Sequence, residues 1–287
     1  MITLKFPTAL ALSVSILTAI AAPAVAQTPP AAEWRSVTPE NLLVIETAKG
    51  RILVELDPRV APLAVARVRS LADEGFYDGL KFHRVITGFM AQTGDPLGTG
   101  QGGSPLPDLP GEFTFRRGRD TGFARVGTTP QGLSGIVGSL PVVTQPDAQM
   151  MVTADFKTGA QALFCPGVAG MARAAEPNSA NSQFFLMTGI KTDLDGKYTP
   201  FGRVVAGMEV VGALNAGDQD PNGRVESPDV MARVRTAAAL PESQRPVVRV
   251  MSTTSPAFAE LVARTQAERG TRFNICDIQP PVEATGS

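Results

Sequence analysis

The sequence FHRVITGFMAQTGD, residues 82–95, contains polar groups among residues that favour burial. It holds the chain's single histidine, His83, next to Arg84, and it also contains an amide, Gln92. Since a buried charge without a partner is energetically costly, these side chains are expected either to be paired or to face a site. A turn at residues 87–88 predicts two short strands. Because adjacent side chains of a strand face opposite sides, His83 is expected to be a structural, hydrogen-bonded residue.

The segments before this stretch predict a hairpin and a helix. Residues 41–47 and 51–56 are short runs rich in β-branched residues on either side of Gly50, which is typical of a β-hairpin. Residues 61–74 carry apolar side chains at helical spacing and are followed by Gly75, a common helix stop.

The segments after it contain more short apolar runs. Strands are predicted at residues 169–174, 182–187, 201–205 and 246–251, and helices at 208–214 and 257–269. Residues 116–160 lack clear periodicity, and their short apolar runs suggest an extra hairpin. The order of strands and helices indicates an antiparallel β-barrel or sandwich covered by a few helices.

The composition disfavours several classes of function. The chain has 287 residues and a formal net charge of −1, so there is no electrostatic reason to expect nucleic acid as a partner. Gly (28) and Pro (24) are frequent, which suits a loop-rich protein with many strands. One histidine and two distant cysteines do not supply a zinc site, and the Walker A and G-x-S-x-G motifs are absent from the sequence. We therefore expect no metal site.

Residues 1–26 have the features of a signal peptide. A short start with one positive charge precedes an apolar segment, and residues 24–26 (Ala-Val-Ala) fit a small-residue cleavage site. The alternative is a retained membrane anchor, although the apolar segment is short for a membrane span. We expect cleavage before Gln27, an extended segment over residues 27–40, and a periplasmic or secreted protein with no membrane span after cleavage.

The two cysteines, Cys165 and Cys276, form a candidate disulfide. An even pair in an exported protein is typical of such a bond, which would close a loop of about 110 residues. The alternative is two buried free thiols, because sequence alone cannot give the separation of the two Cα atoms.

Three motifs together resemble the cyclophilin family of peptidyl-prolyl isomerases. They are the opening stretch, MARAAEPNSANSQFFLMT at residues 171–188 and LDGKYTPFGRVVAGMEVV at residues 194–211. The motifs follow the family's order and span about residues 41–215. The resemblance implies a closed eight-stranded antiparallel β-barrel capped by two helices. It also identifies an insertion at about residues 116–162 and a C-terminal extension, residues 216–287, with one helix.

The resemblance also implies roles for individual side chains. Arg84 matches the family's catalytic arginine, and Gln92 matches the amide that orients the substrate and this arginine. The residues that match the proline pocket and the substrate-binding segments are Phe89, Met90, Gly98, Ala172, Arg173, Ala174, Gln183, Phe185, Leu194 and Tyr198.

The implied activity is rotation about X-Pro peptide bonds in proline-containing clients, which assists the folding of exported proteins without a cofactor. The alternative is a chaperone or scaffold that binds proline segments with little turnover, for example because the insertion blocks the site. Asp193 stands where many family members have tryptophan, so we expect weak cyclosporin binding. The insertion and the extension are either padding packed on the barrel or functional additions such as a lid or a partner site.

Overall fold

The computed structural model describes residues 1–2, 33–130, 132–218 and 220–286. Residues 3–26 of the predicted signal peptide and residues 27–32 of the predicted extended segment lie outside the described residues. Among the described residues, no helix is long and apolar enough to cross a membrane.

Most of the regular structure is β. The strands are β1 (Trp34–Ser36), β2 (Leu42–Thr47), β3 (Gly50–Leu56), β4 (Arg84–Ile86), β5 (Met90–Thr93), β6 (Phe115–Arg117), β7 (Phe123–Thr129), β8 (Gly132–Val137), β9 (Leu140–Thr144), β10 (Thr158–Ala162), β11 (Val168–Met171), β12 (Phe184–Met187), β13 (Pro200–Ala206), β14 (Met231–Thr236), β15 (Val247–Met251) and β16 (Val282–Thr285). The α-helices are α1 (Pro62–Asp73), α2 (Met208–Ala213) and α3 (Pro256–Arg269).

Eight strands form one antiparallel sheet in the order β14-β2-β3-β13-β11-β12-β5-β4, which confirms the predicted mainly β, cyclophilin-like fold. The sheet does not close through a continuous ladder, because its edges are joined only by isolated bridges such as Lys81–Val230. The segment that faces β4 contains Pro221 and Pro228, and proline has no backbone N–H to donate to a ladder. Edge strand β14 itself lies beyond residue 215.

The interior of the curled sheet is apolar and fully buried. Alternate residues of β2 and β3, such as Leu43 and Val54, meet Phe184 and Phe201 from the facing strands. Helix α1 packs Val68 and its neighbouring apolar residues against this core. The core fills the sheet from within, so the proposed functional residues lie on its outer face.

Residues 115–162 form a second antiparallel sheet, in the order β6-β10-β9-β8-β7, where the sequence pattern suggested an extra hairpin. Its strands are rich in glycine and threonine, which weakens their periodic signal. Val137, Leu140 and Val142 of this insertion sheet share an apolar cluster with Met90 and Phe185 of the barrel. The insertion therefore packs beside the strands that carry the predicted proline pocket.

A buried arginine of the barrel anchors the insertion sheet. Arg203 of β13 is 1% exposed and donates hydrogen bonds to the carbonyl oxygens of Ser139, at 3.0 Å, and Pro166, at 3.1 Å. Burial lowers the pKa of Arg203 to about 10. A second arginine, Arg59, donates to the Thr121 carbonyl oxygen at 3.0 Å. The turns of the insertion are thus held by cations from the barrel.

The C-terminal residues pack on both sheets. Strand β15 lies between β1 and β16 in a three-stranded sheet. Helix α3 begins at the cap residue Ser255, whose Oγ accepts the Phe258 N–H at 3.1 Å, and Phe258 packs with Val126 of the insertion. A disulfide joins Cys165, directly after the insertion, to Cys276, with the Cα atoms 5.2 Å apart.

Candidate active site

The hairpin of β4 and β5 sets the positions of the predicted catalytic residues. Arg84 lies directly opposite Gln92 in this hairpin, so their side chains project from the same face. The turn is held by Asp218, whose carboxylate accepts the Thr87 N–H at 3.1 Å and the Thr87 hydroxyl at 2.6 Å. Asp218 thereby fixes a turn that lacks the pre-set φ of a proline.

Arg84 begins a chain of side-chain hydrogen bonds. Its Nη1 donates to Gln92 Oε1 at 3.1 Å, and its Nε donates to the Asn222 carbonyl oxygen at 2.7 Å. Gln92 Nε2 then donates to Gln183 Oε1 at 2.9 Å, and Gln183 Nε2 donates to the Gly102 carbonyl oxygen at 2.7 Å. Burial lowers the pKa of Arg84, but a guanidinium remains charged in proteins. The chain holds this cation in one orientation.

An apolar cluster lies beside the hairpin, at the position of the predicted proline pocket. Met90 and Phe185 are buried, whereas Phe89, Leu194 and Tyr198 are partly exposed in the same cluster. The Phe185 and Tyr198 rings meet edge to face, with their centroids 5.9 Å apart. The Arg84 guanidinium carbon lies 5.9 Å from the centroid of Phe89. The structure therefore places a cation beside the aromatic cluster that corresponds to the predicted proline pocket.

The predicted backbone segment, residues 172–174, forms the other edge of the site. The Ala172 N–H donates to the Gln183 carbonyl oxygen at 2.9 Å. The Arg173 side chain stacks on Tyr198, with 4.5 Å from its guanidinium carbon to the ring centroid. Ala172, Arg173, Ala174, Gln92 and Gln183 line one cavity of about 520 Å³. The structure thus brings all the predicted site residues into one region, with Gly98 on the neighbouring loop.

The glycine-rich loop is organised by Asp95, whose role sequence reasoning missed. The buried Asp95 carboxylate accepts the N–H groups of Leu97 at 2.7 Å, Thr99 at 2.8 Å and Gly100 at 2.5 Å. Burial raises the pKa of Asp95, but these hydrogen bonds together hold it below the ordinary value. Gly98 has a φ of +64°, which glycine adopts readily in such a tight loop.

Replacing Asp95 by asparagine is expected to lower the free energy of unfolding by about 2 kcal/mol at neutral pH, because charge-assisted hydrogen bonds are lost. The pKa of Asp95 is depressed in the folded protein, so its contribution is present above the unfolded pKa of about 3.9 and is lost as pH falls through the folded pKa. Urea unfolding at pH 7, 5 and 3 gives the free energy of unfolding of the wild type and the variant. The difference between these two free energies should become smaller only at pH 3. Glu260→Gln, at an exposed position of α3, is the control. The prediction is contradicted if Glu260→Gln lowers the free energy of unfolding as much as Asp95→Asn does.

Three further features were absent from the sequence prediction or differ from it. Asn222 and Asp218 hold the hairpin from the segment between α2 and β14, and neither carries a motif. No hydrogen bond of good geometry reaches either ring nitrogen of His83 among the described residues, although the Lys81 backbone lies close enough to the ring to act on it. Burial lowers the pKa of His83, while the charge of Asp95 and the Lys81 backbone oppose this effect.

The comparisons with known proteins identify the family of the chain. The model of the cyclophilin type peptidyl-prolyl cis-trans isomerase/CLD family matches residues 42–236, more than half of the chain. The chain belongs to the cyclophilin-type peptidyl-prolyl cis-trans isomerase family. The match extends past residue 215 and includes β14.

Relatives in bacteria cover most of the chain. A "Probable peptidyl-prolyl cis-trans isomerase" of Brucella suis is 35% identical over 211 residues, 70% of this chain and 84% of the relative. A protein of the same name from Brucella abortus is 34% identical over 211 residues, with the same coverage of 70% and 84%. The crystal structure of cyclophilin AquaCyp293 from Hirschia baltica is 34% identical, with a TM-score of 0.77, and covers 88% of this chain and 93% of that one. This coverage extends beyond residues 42–236.

Proposed function

We propose that this protein catalyses cis-trans rotation about X-Pro peptide bonds in proteins that share its exported compartment. The observation that carries the proposal is the pairing of a positioned cation with an apolar cup. Arg84 is held by Gln92 and forms no ion pair with any described residue, and it borders the pocket of Phe89, Met90 and Phe185.

The chemistry of the reaction matches this simple set of groups. Rotation about an X-Pro bond has a barrier of about 18–20 kcal/mol, because amide resonance must be lost. No bond is made or broken, so the catalyst needs only to bind the twisted amide more tightly than the planar one. No cofactor or metal is required for that task.

The residues divide the task between them. The apolar pocket would bind the proline ring and exclude water from it. As resonance is lost, a lone pair localises on the prolyl nitrogen, and the Arg84 guanidinium would stabilise it. The planar fork of arginine suits this role, because Gln92 can hold one N–H group while others face the substrate.

The alternative function is a chaperone or scaffold that binds proline segments without turnover. Such a protein would need its insertion to cover the site. No described residue between 116 and 162 lines either of the cavities that Gln92 borders. Residues 116–162 lie beside the pocket rather than over Arg84, which favours the enzyme.

The test is the cis-trans exchange of a short Ala-Pro-Phe peptide, followed by exchange NMR with and without catalytic amounts of the protein. The expected result is exchange far faster than in the free peptide. Binding of the peptide without faster exchange would overturn the enzyme and favour the chaperone.

Export is part of the proposal. Residues 24–26 have the pattern of a cleavage site, and the disulfide between Cys165 and Cys276 is typical of an oxidising compartment. The clients would then be proline-containing proteins of the periplasm or the exterior. Fractionation of cells of the source organism, with N-terminal sequencing of the protein, should find it outside the cytoplasm and beginning at Gln27.

Cyclosporin is expected to bind weakly, because the exposed Asp193 removes an aromatic face and an N–H donor from the edge of the pocket. Asp193→Trp should tighten cyclosporin binding by about tenfold or more, since buried tryptophans often dominate an interface. Isothermal titration calorimetry measures both affinities. Thr192→Trp, one position away, is the matched control. Equal affinity of wild type and Asp193→Trp would show that this position does not limit binding.

A further inference from the structure

A second polar cavity adjoins the proposed active site. Its volume is about 470 Å³, and it shares Arg84 and Gln92 with the site already described. We call it the Arg224 cavity, and its lining residues are His83, Arg84, Gln92, Gly98, Thr99, Gly100, Gln101, Asp220, Asn222 and Arg224. The segment between α2 and β14 therefore forms one wall, and the glycine-rich loop forms the other.

Two arginines lie side by side in the lining of this cavity. The backbones of Arg84 and Arg224 form an isolated antiparallel bridge, so their side chains project from neighbouring positions on the same face. Like charges at such positions repel each other. Neither arginine forms an ion pair within the part of the chain that the structure describes. Neither guanidinium is therefore neutralised by a direct ion pair with a described residue.

The acid in the cavity does not balance both cations. Asp220 is the carboxylate among the lining residues, and its Oδ1 accepts the Asn222 N–H at 2.6 Å. It thus stabilises its own turn and carries one negative charge against two positive charges. The net charge of the lining side chains is +1 when His83 is neutral.

His83 adds an independent observation. It is 5% exposed, and neither ring nitrogen has a hydrogen-bond partner of good geometry among the described residues, although the Lys81 backbone lies close to the ring. Buried polar groups are normally hydrogen-bonded, so an unpartnered imidazole calls for an explanation. Its ring lies at the wall of the Arg224 cavity, next to Gly100. An anion in the cavity would supply a negative charge close to this imidazole.

We propose that the Arg224 cavity binds an oxyanion, a carboxylate or a phosphate, between Arg84 and Arg224. Such a group would accept charge-assisted hydrogen bonds from both guanidinium groups. Binding at this site does not depend on the isomerase activity. If the proposed function also holds, occupancy would bring a negative charge to Arg84 and so couple the cavity to catalysis.

The same chemistry has two possible sources. An acidic side chain of the client, close in sequence to the proline, could enter the cavity while the proline occupies the pocket. A free inorganic anion could also enter it. In the first case the cavity favours clients with an acidic residue near the proline. In the second case its occupancy depends on the concentration of inorganic anion in the solution.

Because His83 is the chain's single histidine, the NMR signals of its two ring C–H groups are assigned without ambiguity. The first measurement adds inorganic phosphate to the protein at constant pH and ionic strength and follows these signals. The second measurement uses pairs of Ala-Pro peptides. The two members of a pair differ only in carrying Glu or Gln at one of the two positions before or after the proline. A saturable His83 shift with phosphate, or binding of a Glu peptide tighter than its Gln partner by about threefold to tenfold, is expected.

Variants separate the cavity from general charge effects. Arg224→Gln should remove most of this binding, whereas Asp220→Asn should strengthen it, because the competing negative charge is gone. Arg125→Gln, at an exposed position of the insertion sheet, should leave binding unchanged. A phosphate effect alone identifies a free anion, and a Glu preference alone identifies a client side chain. The proposal is overturned if neither occurs, or if Arg125→Gln weakens binding as much as Arg224→Gln.

Discussion

Replacing Arg84 by alanine is expected to slow the catalysed exchange of an Ala-Pro-Phe peptide by about 100- to 1,000-fold, as for other positioned groups that stabilise transition-state charge. The reason is geometric, because Arg84 is the cation held at the mouth of the pocket by Gln92 and the Asn222 carbonyl. Peptide affinity should change much less, since the apolar pocket remains. Exchange NMR gives the rate, and a binding titration gives the affinity.

Two further variants make this result specific. Arg84→Lys keeps the charge but loses the planar fork, so it should recover only a small part of the rate. Arg125→Ala removes an exposed arginine far from the pocket in sequence and should have no effect. Circular dichroism should show that all three variants are folded, because Arg84 lies partly exposed on the outer face of the sheet. A loss in Arg84→Ala no larger than that in Arg125→Ala would assign catalysis to another group.

The barrel could be predicted because its signals are local. Runs such as LLVIET in β2 and FFLM in β12 are short, apolar and bounded by turns, and these features indicate buried strands from the sequence itself. Helix α1 begins at Pro62 and ends before Gly75, as its stop signals indicate. The predicted pocket residues also come from three compact motifs, and antiparallel pairing of β5 and β12 brings two of them together.

The rest depends on contacts that leave little trace in the sequence. The Asn222 carbonyl that holds Arg84 is a backbone group, so any residue type could supply it. Strand β14 (MARVRT) has two arginines among its apolar residues, and only its pairing with β2 makes it part of the sheet. The insertion sheet has glycine at positions such as Gly135, where the neighbouring strand approaches closely. Such residues lower strand propensity while they permit tight packing.

Breaking the disulfide between Cys165 and Cys276 is expected to lower the free energy of unfolding by about 4–5 kcal/mol, because the bond constrains a long loop in the unfolded chain. The two cysteines are 111 residues apart in sequence. The bond also ties the tail to the pocket, since Phe164, beside Cys165, lies 5.6 Å from Phe185 between ring centroids. Urea unfolding of the oxidised protein, the reduced protein and Cys276→Ser measures the effect.

The three samples separate the effect of losing the disulfide bond from the effect of changing a cysteine side chain. Cys165 is fully buried and remains in place in Cys276→Ser, so this variant loses the cross-link without opening a cavity at Cys165. Reductant should therefore destabilise the wild type to the level of Cys276→Ser and should leave that variant unchanged. The apparent affinity for an Ala-Pro-Phe peptide should also fall when the bond is broken, because Phe164, which packs against Phe185 from beneath, is then no longer tied to the tail. If oxidised and reduced wild type unfold within about 1 kcal/mol of each other, the tail is held by α3 and β15 packing instead, and the chain-entropy argument does not apply to this bond.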